Sequence, residues 1–546
     1  MSSNQTSRDD PGDPRDRREP PSRNTAAIAG FLSYLLEGGM TLLAPSLREL
    51  AALSPSPTEV EIPVEHVLYE PLRVLGPQVV YGLRRLVSRM GIVLLLTIAV
   101  VLMPPLPGLA PEGQRGLAAF VFTASILALE PVSLPIAALL VPLALVFLGT
   151  GTVDDALAAF SSPTVFLILA SLFLAEALRK HGLTRRLAMT TVVASGGATH
   201  RLLLGIMAVA AFFSMWVENT ATAAILIPVA LTISRQIRDP DKARPFLVLL
   251  VLGIAYSASL GGMATITGSG SNAVAAQFLN QVGSFRFVDW MKYGLPALLL
   301  IFPVTWWLLM RIVPVDVKRL DVEPARADLQ KQGPMSSTER QLVGTLAVTI
   351  VFWISGSGIE KLLGLPPTSL SATLVAILAV GYLSVRQIIN WNDVRGVSWG
   401  IFFIIGAGLS LGQALTRTGV TDWLATLITP VVSGPPLLVT LLILVYLSAL
   451  LTNVLNNTTI AAVFVPILIA IAETDPTLNA VQLVLPVALA TTFGYSLPSA
   501  SGRMALVAGS GIVDSKDMMR YGLIMTLVSA AILGLYFWVI NALGAF

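Results

Sequence analysis

The sequence predicts an all-α polytopic membrane protein of about eleven transmembrane helices, laid out on a duplicated plan with broken helices. Three observations predict it. First, only 12% of the 546 residues are charged and 54% are hydrophobic, with mean hydropathy +0.76, whereas soluble chains carry about 25% charged residues. Second, residues 245–285 and 423–472 contain no Asp, Glu, Lys or Arg. Runs that long exceed the roughly 20 residues of one crossing, so each must hold more than one helix or a broken one. Third, a polar signature occurs twice inside apolar runs, as Glu218-Asn219-Thr220 leading to Pro228 and as Asn456-Asn457-Thr458 leading to Pro466. Both the Asn and the Pro recur at one spacing, 238 residues (457 − 219).

Each element follows from apolar length and from charged or Pro/Gly punctuation. Residues 1–26 are rich in Asp, Arg, Pro and Ser and read as a disordered tail. The rest of the region 1–90 mixes an apolar stretch with charged segments and reads as cytosolic or surface-lying. A first membrane repeat, 91–313, opens with spans near 91–110, 116–129, 132–150 and 163–179. A broken segment at 202–234 is interrupted at Glu218-Asn219-Thr220. Another at 246–281 is interrupted at Gly261-Gly262 and again at Gly268-Ser269-Gly270-Ser271-Asn272. A span at 288–313 closes this half, and a polar linker covers 314–340. The second repeat, 341–546, has spans near 342–357, 368–385 and 397–416, broken segments at 434–472 and 480–513, and a last span at 519–543.

The duplication extends beyond the signature. Ala177-Leu178, Gly182, Thr184 and Leu187-Ala188 match Ala414-Leu415, Gly419, Thr421 and Leu424-Ala425, and Ser214 matches Thr452. Shared apolar composition explains the Ala and Leu but not aligned Asn, Thr, Gly and Pro. Basic residues cluster at Arg235–Arg244 and at Lys318–Arg340, which the positive-inside rule places in the cytoplasm. An odd number of crossings from a cytoplasmic N-terminus then ends outside, where the segment after Trp538 carries no charge.

An Asn-Thr pair at membrane depth carries groups that hydrocarbon cannot solvate, so it calls for a solute, an ion or another helix. A helix broken at midplane offers N–H groups to an anion and carbonyl groups to a small hard cation. Two copies therefore point to a binding site built twice, as in many secondary transporters. Ser214 to Ala224 resembles the first Ser-Asn-Thr signature of the divalent anion/sodium symporter family, the transporters of dicarboxylates, citrate and sulfate. Gly261 to Gly268 resembles that family's following loop, and Thr452–Thr458 with Leu497–Gly511 match more loosely. The resemblance covers roughly residues 90 to 546. It implies inverted repeats with re-entrant hairpins, a homodimer in the plasma membrane and an elevator-like transport domain. It also implies substrate carboxylates at Asn219, Thr220, Asn457 and Thr458, with Ser269 and Ser501 beside them. Sodium would sit at Ser214, Asn219 and Gly268, and again at Thr452, Asn457 and Ala500.

Two departures stand out. Glu218 replaces the family's first Ser and is the only charged residue between Arg201 and Arg235; Arg503 is the only one between Asp475 and Asp514. The expected Thr-Pro-Pro-Asn of both loops is absent. A charge in the bilayer interior costs at least about 2.5–3.5 kcal/mol, so it is normally partnered. The pair can be a structural bridge, to each other or to backbone. Alternatively Arg503 is a tethered cation that holds a substrate oxyanion and replaces one sodium, with Glu218 as a proton carrier, or Glu218 faces a substrate ammonium. Proton coupling, exchange, or a cation/proton antiporter using Glu218 are the competing transport modes. Zero cysteines exclude thiol chemistry, and His181 and His200 stand apart from any Ser-His or zinc pattern, so an intramembrane enzyme finds no support. No phosphate-binding loop is present; transport would be secondary.

Overall fold

The computed structural model describes residues 76–475 and 478–545, all within one unit spanning 65–546. The N-terminal tail lies outside the described residues up to residue 75. Residues 76–90 form the first part of helix α1 (Gly76–Leu102). Among the described residues every regular element is helical. Buried backbone in hydrocarbon must satisfy its own N–H and C=O groups, and a helix does so locally.

The first half continues with α2 (Pro111–Leu129), α3 (Leu134–Phe147), α4 (Val153–Ala158) and α5 (Pro163–Lys180). Pro at the first helical position, as in α2 and α5, fits because its missing N–H would be unpaired there anyway. Then come α6 (Leu183–Ala194), α7 (Thr199–Ser214), α8 (Asn219–Ser234), α9 (Pro240–Met263), α10 (Gly270–Val282) and α11 (Phe287–Ile312). The central linker carries α12 (Glu323–Gln332). The second half holds α13 (Ser337–Leu363), α14 (Ala372–Val385), α15 (Trp391–Val394), α16 (Trp399–Arg417), α17 (Val420–Ser433), α18 (Leu437–Leu451), α19 (Asn457–Thr474), α20 (Ala480–Ala490), α21 (Gly502–Gly509) and α22 (Ser515–Ala542).

Local features recur between the halves. Gly182 opens α6 at φ 67° and Gly419 opens α17 at φ 71°, a left-handed turn that favours glycine because it has no Cβ. The breaks before α8 and α19 recur likewise. Residues 181–201 and 418–433, outside the spans predicted from the sequence, hold helices α6 and α17. One expectation is corrected: Gly261-Gly262 do not interrupt α9. Those glycines are helical and serve close packing, since a methyl at Gly261 would overlap the Ala211 backbone and one at Gly262 the Asn219 amide.

Six helices among the described residues are long and apolar enough to cross a membrane: α9, α11, α13, α16, α19 and α22. A seventh is the bent pair formed by Val153–Ser161 and Pro163–Lys180. The other apolar helical stretches, Ser88–Leu102 of α1 among them, are 10–17 residues long, shorter than the roughly 20 residues of one crossing. Burial sorts the long ones. In α9, 94% of the apolar window is buried, against 22% in α13, so α9 is central and α13 presents its apolar side outward. A single large core joins most helices, with a separate small cluster of Val93, Phe122, Ile126, Leu127 and Ala137 between α1, α2 and α3.

A polar clasp at one end of the bundle ties the halves. Lys180 Nζ donates to Asp393 Oδ2 (2.7 Å) and to the Ile388 carbonyl (3.3 Å), and the His181 ring nitrogen meets the same carbonyl at 3.0 Å. Burial alone would raise the Asp393 carboxyl, but Lys180 and the Asn390 N–H hold it below its usual value. A depressed folded-state value stabilises the fold above the ordinary Asp range, near 3.9, and that contribution is lost as pH falls through the folded value. We expect Lys180→Met to lower stability by about 1 kcal/mol at neutral pH. Chemical denaturation followed by intrinsic fluorescence should show the difference shrink below about pH 4.

Candidate functional site

Two broken helices supply the centre of the molecule. α7 stops at Ser214 and α8 begins at Asn219; α18 stops at Leu451 and α19 begins at Asn457. In each case a hydroxyl reaches across the break. Ser214 Oγ donates to Asn219 Oδ1 at 2.6 Å, and Thr452 Oγ1 lies within hydrogen-bond reach of both Asn457 Oδ1 and the Thr491 carbonyl (2.7 Å), sharing its one proton between them. The Met215 carbonyl, freed by the first break, accepts from Thr265 and from Thr267 (3.2 Å). A hydroxyl that competes for local partners suits a helix interruption better than a helix interior.

The helices that restart are capped from within. Glu218 Oε2 accepts from the N–H of Thr220 (2.7 Å) and Ala221 (3.2 Å), and its Oε1 accepts from Thr220 Oγ1 (3.0 Å). Asn456 Oδ1 accepts from the Thr458 N–H at 2.9 Å. This corrects the expectation of free N–H groups at both tips. A carboxylate satisfies the positive end of α8, and the tips present Thr hydroxyls instead. Helix α10, by contrast, begins with no side-chain cap, because Ser269 Oγ turns to Ser271 Oγ (2.9 Å).

The two hairpin loops meet the opposite tips. In the first half the chain passes from α9 through a short 3₁₀ turn, Ile266–Gly268, to Ser269 and α10. In the second it passes from α20 through turns at Thr491–Phe493 and Pro498–Ala500 to Ser501 and α21. A Cβ at Gly270 would stand 2.9 Å from Thr458 Oγ1, and one at Gly502 would stand 2.8 Å from Thr220 Oγ1. The loop of one half thus lies on the Asn-Thr tip of the other, in both directions. Thr491 Oγ1 bonds Ser271 Oγ at 2.8 Å and fastens the loops together. Glu218, Thr220, Gly270, Asn456, Asn457 and Ser501 are half-buried and Gly502 is exposed, whereas Asn219, Thr458 and Ser269 are buried. A small polar surface therefore reaches the edge of an otherwise apolar interior.

Beside it lies a cluster of oxygens. The Asn219 amide atom that faces Ser214 Oγ is also 3.1 Å from the Ala258 carbonyl oxygen and 3.0 Å from that of Gly268. An amide nitrogen there would donate to all three. With nitrogen there, the amide satisfies these oxygens from within the fold; with oxygen there, the two carbonyls and the amide oxygen face one another. Hydroxyl, amide and carbonyl oxygens without a carboxylate suit a hard cation of low charge. The structure thus brings Ser214, Asn219 and Gly268 together as expected and adds Ala258. In the second half, Thr452 bonds Asn457, and the Cα side of Gly494 faces the Thr452 carbonyl (3.0 Å) and Ala500 (3.1 Å).

The two charges stand near each other but form no direct ion pair among the described residues. Arg503 is 1% exposed. Its Nη2 donates to the carbonyls of Thr492 (2.8 Å) and Gly494 (3.3 Å), and its Nε has no hydrogen-bond partner. Glu218 and Tyr495 are the ionisable groups close enough to feel its charge. The bridge to backbone is thus the form taken, for both residues.

Sequence reasoning missed Asn272, whose Nδ2 donates to the carbonyls of Gly262 (2.8 Å) and Thr265 (2.7 Å) and locks the first loop. Its place at the expected end of the Thr-Pro-Pro-Asn stretch was the available signal. It also missed the buried Tyr256–Tyr495 ring pair, 4.7 Å apart, which links α9 to the second loop; no pattern marks it.

The chain resembles known transporters over most of its length. Residues 84–543 match the family described as the sodium:sulfate symporter transmembrane region. An uncharacterized transporter of Haemophilus influenzae is 32% identical over 82% of this chain and 97% of its own length. The sodium-dependent dicarboxylate transporter SdcS of Staphylococcus aureus is 28% identical over 73% of this chain and 81% of its own. Among solved structures, the Alcanivorax borkumensis YdaH transporter aligns with TM-score 0.47 at 15% identity, covering 72% of this chain and 88% of its own. The chain is a multi-pass membrane transporter, not an enzyme, and it belongs to the sodium:sulfate symporter family.

Proposed function

We propose that this chain is a secondary active transporter that carries a small anion, a dicarboxylate, other organic anion or sulfate, together with sodium. One observation carries the reading. Two Asn-Thr tips and two hairpin loops cross-pack into one polar site, beside hydroxyl, amide and carbonyl groups around Asn219 of a kind that suits a small hard cation. Helped by the uncapped N-terminus of α10, Thr458, Ser269 and Ser501 would donate to the anion, with Thr220, whose hydroxyl donates to Glu218, lining the site. Sodium would bind through Ser214, Asn219, Ala258 and Gly268, where its charge lowers the cost of bringing an anion to the same depth. The name of the Staphylococcus relative supports sodium dependence and a dicarboxylate substrate.

The recurring features of the two halves support an inverted repeat of about eleven crossings, with half-helices meeting at midplane; the basic loops support a cytoplasmic N-terminus, and a homodimer rests on the family resemblance alone. A transport domain holding both tips and loops would move as an elevator, since a site so tightly cross-packed travels most simply as a rigid body. Glu218, bound to the start of its own helix, is committed to capping, which weighs against a cation/proton antiporter built on it. In proteoliposomes of the purified chain, an inward sodium gradient should raise succinate or sulfate uptake about tenfold or more over potassium, as expected when sodium binding couples to anion affinity by 1–3 kcal/mol. Dissipation of a pH gradient by sodium alone, with no anion uptake, would establish the antiporter instead.

A further inference from the structure

A broken helix ends its first half in carbonyl groups with nothing to donate to them, and the accumulated negative end attracts positive charge. The two halves meet that demand differently. Setting Ser501 against Ser269 places Gly494 against Gly262, Gly502 against Gly270 and Arg503 against Ser271, all at one spacing. In the first half the Gly262 carbonyl accepts from the neutral amide of Asn272. Among the described residues no charged side chain bonds that carbonyl, and the oxygens of Ser214, Ala258 and Gly268 surround the neutral Asn219 amide. In the second half the matching carbonyl, that of Gly494, accepts from the guanidinium of Arg503, which also holds the Thr492 carbonyl. Gly494 in turn lies against the Thr452 carbonyl and Ala500, two of the three residues expected to form a second cation site.

Burying a guanidinium costs several kcal/mol unless its surroundings repay it. Among the described residues no carboxylate contacts it, its Nε–H is unpartnered, and it is 1% exposed. A loop staple could be made more cheaply by a neutral amide, as Asn272 does in the other half. We propose that Arg503 is a tethered cation that permanently supplies the positive charge of the second half, so that each transport cycle uses a single mobile sodium, bound at the Asn219 cluster. This rests on the sodium-coupled reading above and fixes its stoichiometry at the cation sites.

The test is a sodium titration of the purified full chain by thermal shift, with choline keeping ionic strength constant, paired with sodium dependence of uptake in proteoliposomes. The wild type should bind with a Hill coefficient of about one. Arg503→Lys, which keeps the charge, should keep that coefficient. Arg503→Gln, which keeps amide donors for the Thr492 and Gly494 carbonyls but loses the charge, should shift the sodium midpoint upward at least about tenfold or steepen the response toward two sites. A wild-type coefficient near two overturns the inference while sodium coupling stands, and needs no variant to fold. An Arg503→Gln protein with unchanged sodium response and uptake overturns it as well. A wild type indifferent to sodium overturns the sodium-coupled reading itself.

Discussion

Gly262→Ala should abolish sodium-dependent uptake, reducing the initial rate by about 100-fold or more. The residue is helical, in the last turn of α9, so the exchange improves helix propensity by up to about 1 kcal/mol. The added methyl, however, would overlap the amide of Asn219. Overpacking of this kind costs about 1–3 kcal/mol, so the fold survives with a modest net change in stability. What does not survive is the oxygen cluster, because Asn219 is the atom through which Ser214, Ala258 and Gly268 converge. Thermal unfolding should show a folded protein whose sodium-induced shift has gone. Retained uptake with a normal sodium response would show that the cluster is not the coupling site.

Gly270→Ala and Gly502→Ala should each raise KM for the anion by about tenfold or more, and by similar amounts. Both methyls point at a Thr hydroxyl of the other half, Thr458 at 2.9 Å and Thr220 at 2.8 Å. Neither glycine has a positive φ, so the effect arises from crowding and not from backbone strain. Smaller anions should suffer less than larger ones, because the methyl takes volume from the space they share. Initial-rate kinetics with sulfate and with a four-carbon dicarboxylate would measure this. A large effect from one glycine and none from the other would mean that the two loops serve different sites.

Much of this arrangement was legible in the sequence because membrane depth makes polar residues conspicuous. Asn219, Thr220, Asn457 and Thr458 stood out as groups that hydrocarbon cannot solvate, and the structure brings their helices together with the Ser269 and Ser501 loops. Ser214 and Gly268 also meet Asn219 as expected. What the sequence could not show was which half touches which. The contact of Gly270 with Thr458 depends on tertiary packing between segments remote in sequence, which no local pattern encodes. Glycine itself misled: at Gly261 and Gly262 it read as a helix breaker, yet it permits close approach inside a helix. Helix α6 lay outside the predicted spans because Thr184, Arg185 and Arg186 dilute its apolar periodicity. There Arg186 is anchored by Glu339 at 2.8 Å and by the Gly333 carbonyl at 2.8 Å, so tertiary contacts outweigh the local signal. The role of Glu218 was open from sequence alone, since capping is invisible until the break before Asn219 is placed.

The central claim is that both halves contribute to one anion site. The chain contains no cysteine, so single thiols can be read without background, and Thr→Cys keeps side-chain size close while placing a reactive group at each tip. Thiol labelling of Thr220→Cys and Thr458→Cys proteins in proteoliposomes is the most direct measurement. The account predicts that one transported anion, in sodium buffer, slows labelling at both positions with the same half-saturating concentration, and protects neither in choline buffer. Protection at one position only, or protection at two unrelated concentrations, would contradict it.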